Sequence, residues 1–405
     1  MPPDEVEWLS SPEGRRVLAG LPRYQPDQAL AVSTALRTSG LTEGQTAAVL
    51  TQSRLRSRVA ERWGSAVDDL LFTPEGAEQA TRPEVAALRA ARYAVLSEVT
   101  GSTVADLGCG IGIDALAFAR AGLEVDAFER DPATALIAKA NAAATGVGDH
   151  VRVTECDVTS KDPRDWSQYA AVFADPARRR GGRRLHQPEQ WSPPLSWVLA
   201  LLNQNVGVKV APGLDADTLP VDVEFCVVSV NGDVVEGALY RGALKRAHIS
   251  KSATLLPGGD TVTDLDLPGD PSPVRPVGRY VHEPDGAVIR AGLVAAVAAQ
   301  HGAWFLDRHV AYLSTDSSIV SPFMRSFEVH DVLPFSVKRL RAYLRNKQVG
   351  QVVVKKRASA VDVDGLQRAL KLDDSNPGRH TLLLTRIGSD PVVIVASPVS
   401  ARSCD

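Results

Sequence analysis

From Ser102 to about Pro212, short apolar runs alternate with helical stretches of about ten to fifteen residues, and this alternation restricts the fold more than any other feature. The runs are VADLG, LEVDAFERD, VRVTECD, AAVFADP and VGVKVAP; between them lie DALAFARAG, PATALIAKANAAATG and SWVLALLNQ. Strands separated by helices of that length pair in parallel through right-handed crossovers, which predicts an α/β, doubly wound, Rossmann-like sheet. Downstream, VEFCVVSVNGDVVEGALYRG carries two β-rich runs around Asn231-Gly232-Asp233. That turn signal predicts an antiparallel hairpin closing the sheet.

The flanks read differently. Up to about Val99, apolar residues recur at spacings of three and four, in LSSPEGRRVLAGL, PDQALAVSTALRTSG, TEGQTAAVLTQSRLRSRVAERWG and PEVAALRAARYAVLSEV, so residues 1–100 are expected to form an N-terminal helical domain. The sheet domain is expected over 101–255. Residues 256–278, rich in Pro, Gly and Asp, read as a linker. Residues 279–405 are expected to form a small C-terminal α/β domain, with a helix over PDGAVIRAGLVAAVAAQHG, another around FSVKRLRAYLRNK, strand QVVVKK, helix VDGLQRALKL and strands HTLLLTRI and PVVIVAS. A chain of 405 residues, 44% hydrophobic, can fill several such cores.

Composition narrows the function classes. The net charge of −3 excludes a molecule that binds polyanions through its overall field, so any basic surface is local. The four cysteines lack metal-ligand spacing, which points to a reducing compartment and no metal. The first residues lack the apolar core of a signal peptide, and no apolar run is long enough for a membrane span, so the expected location is the cytoplasm.

The residues that carry chemistry begin at Asp106-Leu107-Gly108-Cys109-Gly110-Ile111-Gly112, at the end of the first strand. Gly108, Gly110 and Gly112 let the backbone turn sharply and approach a ligand where a Cβ would clash. An adjacent carboxylate, Asp106, would repel a pyrophosphate but suits the ammonium of a sulfonium-bearing amino acid, which favours S-adenosylmethionine over a dinucleotide. Glu129 closes the second strand, 23 residues on, where it can accept both ribose hydroxyls. Asp157 closes the third and can accept from an adenine amino group. The fourth strand ends in Phe173-Ala174-Asp175-Pro176-Ala177-Arg178, at the edge where doubly wound sheets bind substrate; the Asp175 carboxylate and the Pro176 carbonyl can accept from an attacking amine. Arg178, Arg179, Arg180, Arg183 and Arg184, with Gly181 and Gly182 between them, form a local cationic run suited to gripping phosphates from a mobile loop; the bland reading is a solvated charge run.

With those motifs in place, the middle of the chain, about residues 101 to 245, resembles class I S-adenosylmethionine-dependent methyltransferases. FADPARR resembles the Asp-Pro-Pro-aromatic motif of amino-group methyltransferases, but departs from it at Ala177 and Arg178, which leaves the target amine open. Arg178 can stack on a base through its guanidinium plane instead. Over its whole length the chain is similar to bacterial methyltransferases with a C-terminal THUMP-like domain, through LFTPEGAEQATRPEVAALRAAR, GRYVHEPDGAVIRAGL, VVVKKRASAVDVDGLQRAL and HTLLLTRI. THUMP domains in related enzymes bind RNA, so the resemblance implies methyl transfer to an amino nitrogen of an RNA base. In this arrangement Phe72, Thr73 and Glu75 either fold over the cofactor as a lid or form a helix cap with a hydrophobic plug. The alternatives are a protein side-chain methyltransferase, an RNA-binding protein that senses the cofactor without turnover, and a dinucleotide oxidoreductase.

Overall fold

The computed structural model describes residues 1–96, 102–177, 179–180, 183–184, 187–201, 204–214 and 219–399. The chain divides into two compact units, Met1–Ala211 with Ala238–Arg246, and Pro212–Gly237 with Ala247–Asp405.

The first unit opens with helices α1 (Pro3–Ser10), α2 (Pro12–Ala19), α3 (Ala29–Thr38), α4 (Glu43–Trp63), α5 (Pro74–Gln79) and α6 (Pro83–Tyr93). LSSPEGRRVLAGL is two helices where one was expected: the Ser11 hydroxyl accepts from the Gly14 amide and starts α2 afresh ahead of Pro12. α4 begins in a reciprocal capping box between Thr42 and Gln45. The sheet follows as β1 (Thr103–Leu107), α7 (Ile113–Arg120), β2 (Glu124–Glu129), α8 (Pro132–Ala144), β3 (Val151–Glu155), β4 (Ala171–Ala174), the two-residue strands β5 (Arg179–Arg180) and β6 (Arg183–Arg184), α9 (Leu195–Ala200) and β7 (Val206–Val210). Pairing is parallel between β2 and β1, β1 and β4, β4 and β7, and β2 and β3. The resulting order β7-β4-β1-β2-β3 reverses direction of travel between β1 and β4. Ligands bind outside the carboxyl ends of strands at such a point. β4 and β7 are buried throughout, as expected of strands covered on both faces.

The helical segment and the sheet thus share one unit, and no boundary falls at residue 100. The reason is packing: α6 lies against α7, and α1 against α8. The Tyr93, Phe118 and Phe173 rings interlock between α6, α7 and β4 at centroid separations of 4.6 and 5.7 Å.

β8 (Glu224–Val230) and β9 (Asp233–Arg241) form the expected hairpin strands, turned by Asn231 and Gly232 at φ of 53° and 89°. β9 takes part in both units. In the second unit, β10 (Lys251–Leu256) pairs in parallel with β8 and antiparallel with β11 (Asp260–Thr263). The expected linker over 256–278 is therefore corrected in its first part: Pro257, Gly258 and Gly259 turn the chain, and Asp260–Thr263 is a strand.

A separate seven-stranded sheet comprises β12 (Tyr280–Pro284), β13 (Trp304–Asp307), β14 (Val310–Thr315), β15 (Met324–Pro334), β16 (Val349–Lys356), β17 (Gly378–Ile387) and β18 (Asp390–Pro398), in the order β13-β14-β12-β15-β18-β17-β16. Its helices are α10 (Gly286–Arg290), α11 (Val294–Gln300), α12 (Val337–Asn346) and α13 (Val363–Leu370). The single helix expected over PDGAVIRAGLVAAVAAQHG is broken into α10 and α11 because Gly292 sits at φ 74°, off the helical path. α12 and α13 bury Leu340, Leu344, Leu366 and Leu370 with Leu382, Leu384, Val393 and Val395 of the sheet. Among the described residues no helix is long and apolar enough to cross a membrane.

Candidate active site

The glycine loop is shaped by β2. The amides of Gly108 and Cys109 both donate to the Phe128 carbonyl at 2.9 and 3.0 Å, and Gly108, Gly110 and Gly112 take φ of 80°, 56° and 90°. L-residues avoid those values, which is why the turn needs glycine. A Cβ at Gly110 would meet nothing within 4 Å, so the loop leaves open space there; at Gly112 it would come within 3.3 Å of the Ala138 side chain, where α8 crowds the turn.

Asp106, at the buried end of β1, is 1% exposed; the Ala115 amide faces its carboxyl but completes a full hydrogen bond to neither oxygen. Burial, reinforced by the negative charge of Asp175 and opposed by Arg89, pushes its carboxyl up to about 7. Glu129 accepts from the Gly110 amide at 3.1 Å and the Asp131 amide at 2.9 Å, so it holds the loop as well as lying beside it. Asp157 is exposed and caps a short turn: one oxygen accepts from both the Thr159 amide and hydroxyl, which holds its carboxyl below the usual range. These four stretches meet at the carboxyl ends of β1, β2 and β3, as the order of the strands requires.

Of the two forms open to Phe72 and Thr73, the structure shows the cap and plug. The Thr73 hydroxyl accepts from the Gly76 amide at 2.9 Å, and Phe72 is fully buried with its backbone gripped both ways by the Gln52 amide. α5 nonetheless abuts the glycine loop, since a Cβ at Gly76 would lie 2.7 Å from the Ile111 side chain. Asn141, buried on α8, accepts from the Leu71 amide and donates to the Leu71 and Ile111 carbonyls.

Asp175 and Pro176 follow β4 directly. One Asp175 oxygen accepts from Lys209 Nζ at 2.7 Å, and Pro176 is buried. Lys209 also donates to the Thr81 hydroxyl at 3.1 Å, which donates to Asp114 at 2.7 Å; Asp114 pairs with the buried guanidinium of Arg89, itself stacked over Phe173 at 4.4 Å. Sequence reasoning did not find Lys209, Thr81, Arg89 or Asp114. Arg178 lies outside the described residues. The arginine run is an antiparallel ribbon, with Arg179 opposite Arg184 and Arg180 opposite Arg183, where a loose loop was expected; paired Ala177 and Ser192 backbones close its base. Ser192 is in turn bonded by Arg130, next to Glu129.

Fold and site together define a class I methyltransferase: a doubly wound sheet with a glycine loop after its first strand and acidic side chains after the next ones. Residues 324–398 match the family model "THUMP domain-like", and residues 2–59 match that of a domain of unknown function. An uncharacterized S-adenosylmethionine-dependent methyltransferase, recorded from two strains of Mycobacterium tuberculosis, is 36% identical over 359 residues, covering 86% of this chain and 94% of that protein. The crystal structure of a protein assigned as a methyltransferase from Porphyromonas gingivalis superposes over 99% of this chain and 100% of that one, with a TM-score of 0.74 at 21% identity, and so shares the fold. The chain belongs to this family of S-adenosylmethionine-dependent methyltransferases that carry a THUMP-like domain.

The site fits that cofactor. A buried carboxyl without a full hydrogen bond, as at Asp106, suits an ammonium donor, and the glycine loop leaves open space at Gly110.

Proposed function

We propose that this enzyme methylates an amino nitrogen of an RNA base, with Asp106, the glycine loop, Glu129, Asp157 and Thr73 around the cofactor. The bound cofactor supplies an electrophilic methyl on a sulfonium. Asp175 accepts an N–H of the substrate amine and receives the proton it sheds, while the Pro176 carbonyl accepts the second N–H, so that the nitrogen lone pair faces the methyl; rate comes chiefly from that alignment. Arg178 is read as a plane on which the base stacks, and Arg179, Arg180, Arg183 and Arg184 as contacts to its phosphates.

One observation carries the reading: the paired strands Arg179–Arg180 and Arg183–Arg184 follow the candidate acceptor Asp175 within a few residues of chain, so the densest cationic segment of the sequence adjoins it. The THUMP-like domain supports it with a second basic surface. Residues 332–361 contain eight Lys and Arg and no acidic residue. On and just after α12, Lys338, Arg339, Arg345 and Lys347 are exposed.

The test is tritiated methyl transfer from S-adenosylmethionine into extract from cells lacking the gene. Label that RNase removes and Asp175→Ala abolishes supports the proposal. Label that survives RNase and enters protein refutes it in favour of a protein substrate.

A further inference from the structure

We infer that Lys209 is a positioning residue for methyl transfer: its ammonium holds one oxygen of Asp175, so that the other oxygen is turned to meet the substrate amine. This rests on the reading of Asp175 as the amine acceptor.

Lys209 occupies an improbable place. β7 is buried along its whole length, and Lys209 is 6% exposed between Val208 and Val210, both fully buried. A buried ammonium there needs an anionic partner. The ladder supplies one: β4 and β7 run parallel with Ala174 opposite Val208, which brings Asp175 and Lys209 side by side just past the end of β4. The contact is 2.7 Å between a lysine side chain 8% exposed and an aspartate side chain 27% exposed. No described residue bonds the second Asp175 oxygen.

A merely structural ion pair would need only the two partners. Here Lys209 is itself held by Thr81, which is held by Asp114, which is held by Arg89, so α6, α7, β7 and β4 all set the direction of one carboxylate. The Asp106 carboxyl on β1 feels the charges of Asp175, of Arg89 on α6 and of Glu129 on β2, and Asp114 on α7 pairs with Arg89. Without Lys209, Asp175 would face Asp106 and lose the cation that fixes its direction.

The experiment compares full-length wild type, Lys209→Met, Lys209→Gln, Lys209→Arg, Asp175→Asn and the Lys209→Met/Asp175→Asn double variant. Each is measured by S-adenosylmethionine titration, by thermal unfolding from pH 5 to 8, and by tritiated transfer into total RNA from cells lacking the gene. Lys209→Met is expected to keep cofactor affinity within about twofold and to lose about tenfold or more in kcat at unchanged KM. Lys209→Arg restores most of the rate, and the double variant is no slower than Asp175→Asn. Lys209→Gln, which keeps a donor without the charge, should show a kcat loss at unchanged KM as well and carries the test if the Met variant does not fold. Wild-type kcat in Lys209→Met or Lys209→Gln, or losses that multiply independently in the double variant, would overturn the inference. Wild-type turnover in Asp175→Asn would instead remove the acceptor reading beneath it.

Discussion

With the Asp106 carboxyl pushed up to about 7 by burial, the proposed pairing with the cofactor's ammonium predicts proton-linked cofactor binding. A carboxyl at that value would be about half charged at pH 7 and charged in about one molecule in thirty at pH 5.5. On the proposed reading the ammonium takes the charged form, so loading should release a proton. Between pH 7 and 5.5 the affinity for S-adenosylmethionine should fall about fifteen-fold, or about 1.6 kcal/mol, while the ligand's own amine stays protonated. Calorimetric titration in two buffers of different ionisation heat should show release of nearly one proton per site at pH 6. Asp106→Asn should bind more weakly at pH 7, lose the slope and release no proton. Asp175→Asn, which removes the second-largest cause of the upward shift, should move the inflection to lower pH. An affinity flat from pH 5.5 to 7, or a slope that persists in Asp106→Asn, would show that the Asp106 carboxylate is not the cation's partner.

Arg89→Met leaves Asp114 buried without its cation and should cost about 3–5 kcal/mol in the stability of the first unit, read by denaturant unfolding; Asp114→Asn in the same background should recover part of it. Gly112→Ala combines a left-handed φ with a 3.3 Å approach to Ala138, and should both destabilise the fold by about 1–3 kcal/mol and weaken cofactor binding. His282 in the C-terminal unit bonds Ser326 and Thr315, each at 2.8 Å, and burial, then His301, pull its imidazole down to about 4. The unfolded chain therefore binds that proton more readily, and stability should fall as pH drops from about 6.5 towards 4. His282→Asn should flatten the acid limb of the thermal unfolding profile, and an unchanged limb would count against this origin of acid sensitivity.

The sheet was legible because its signals are local. VADLG, LEVDAFERD and AAVFADP each read as strands without neighbours, and the Asn231-Gly232 turn announces itself. The C-terminal unit was half legible: β16, α12, α13, β17 and β18 were read, whereas β13 and β14, joined through Asp307, Arg308 and His309, lack a glycine turn signal and were missed. The glycine loop and the strand-end acids stood out through residue type at a fixed place. Lys209 did not, because a lysine in VGVKV looks like one polar face of a half-exposed strand, and only the pairing of β4 with β7 reveals its partner. Thr81, Arg89 and Asp114 are likewise ordinary in sequence and become a network only when α6 packs on α7. Thr73 was legible as a cap, one of the two forms its hydroxyl suits in sequence.

Asn141 gives the order of synthesis a physical meaning. Its one amide group bonds Leu71 and Ile111, which leave the ribosome before it, so the glycine loop gains its tie to α8 only when that helix emerges. A nascent chain halted before residue 141 would hold every glycine of the loop and still lack that tie. The ligand pocket is in this sense timed by chain growth, and the helices made first wait for a side chain made some seventy residues later.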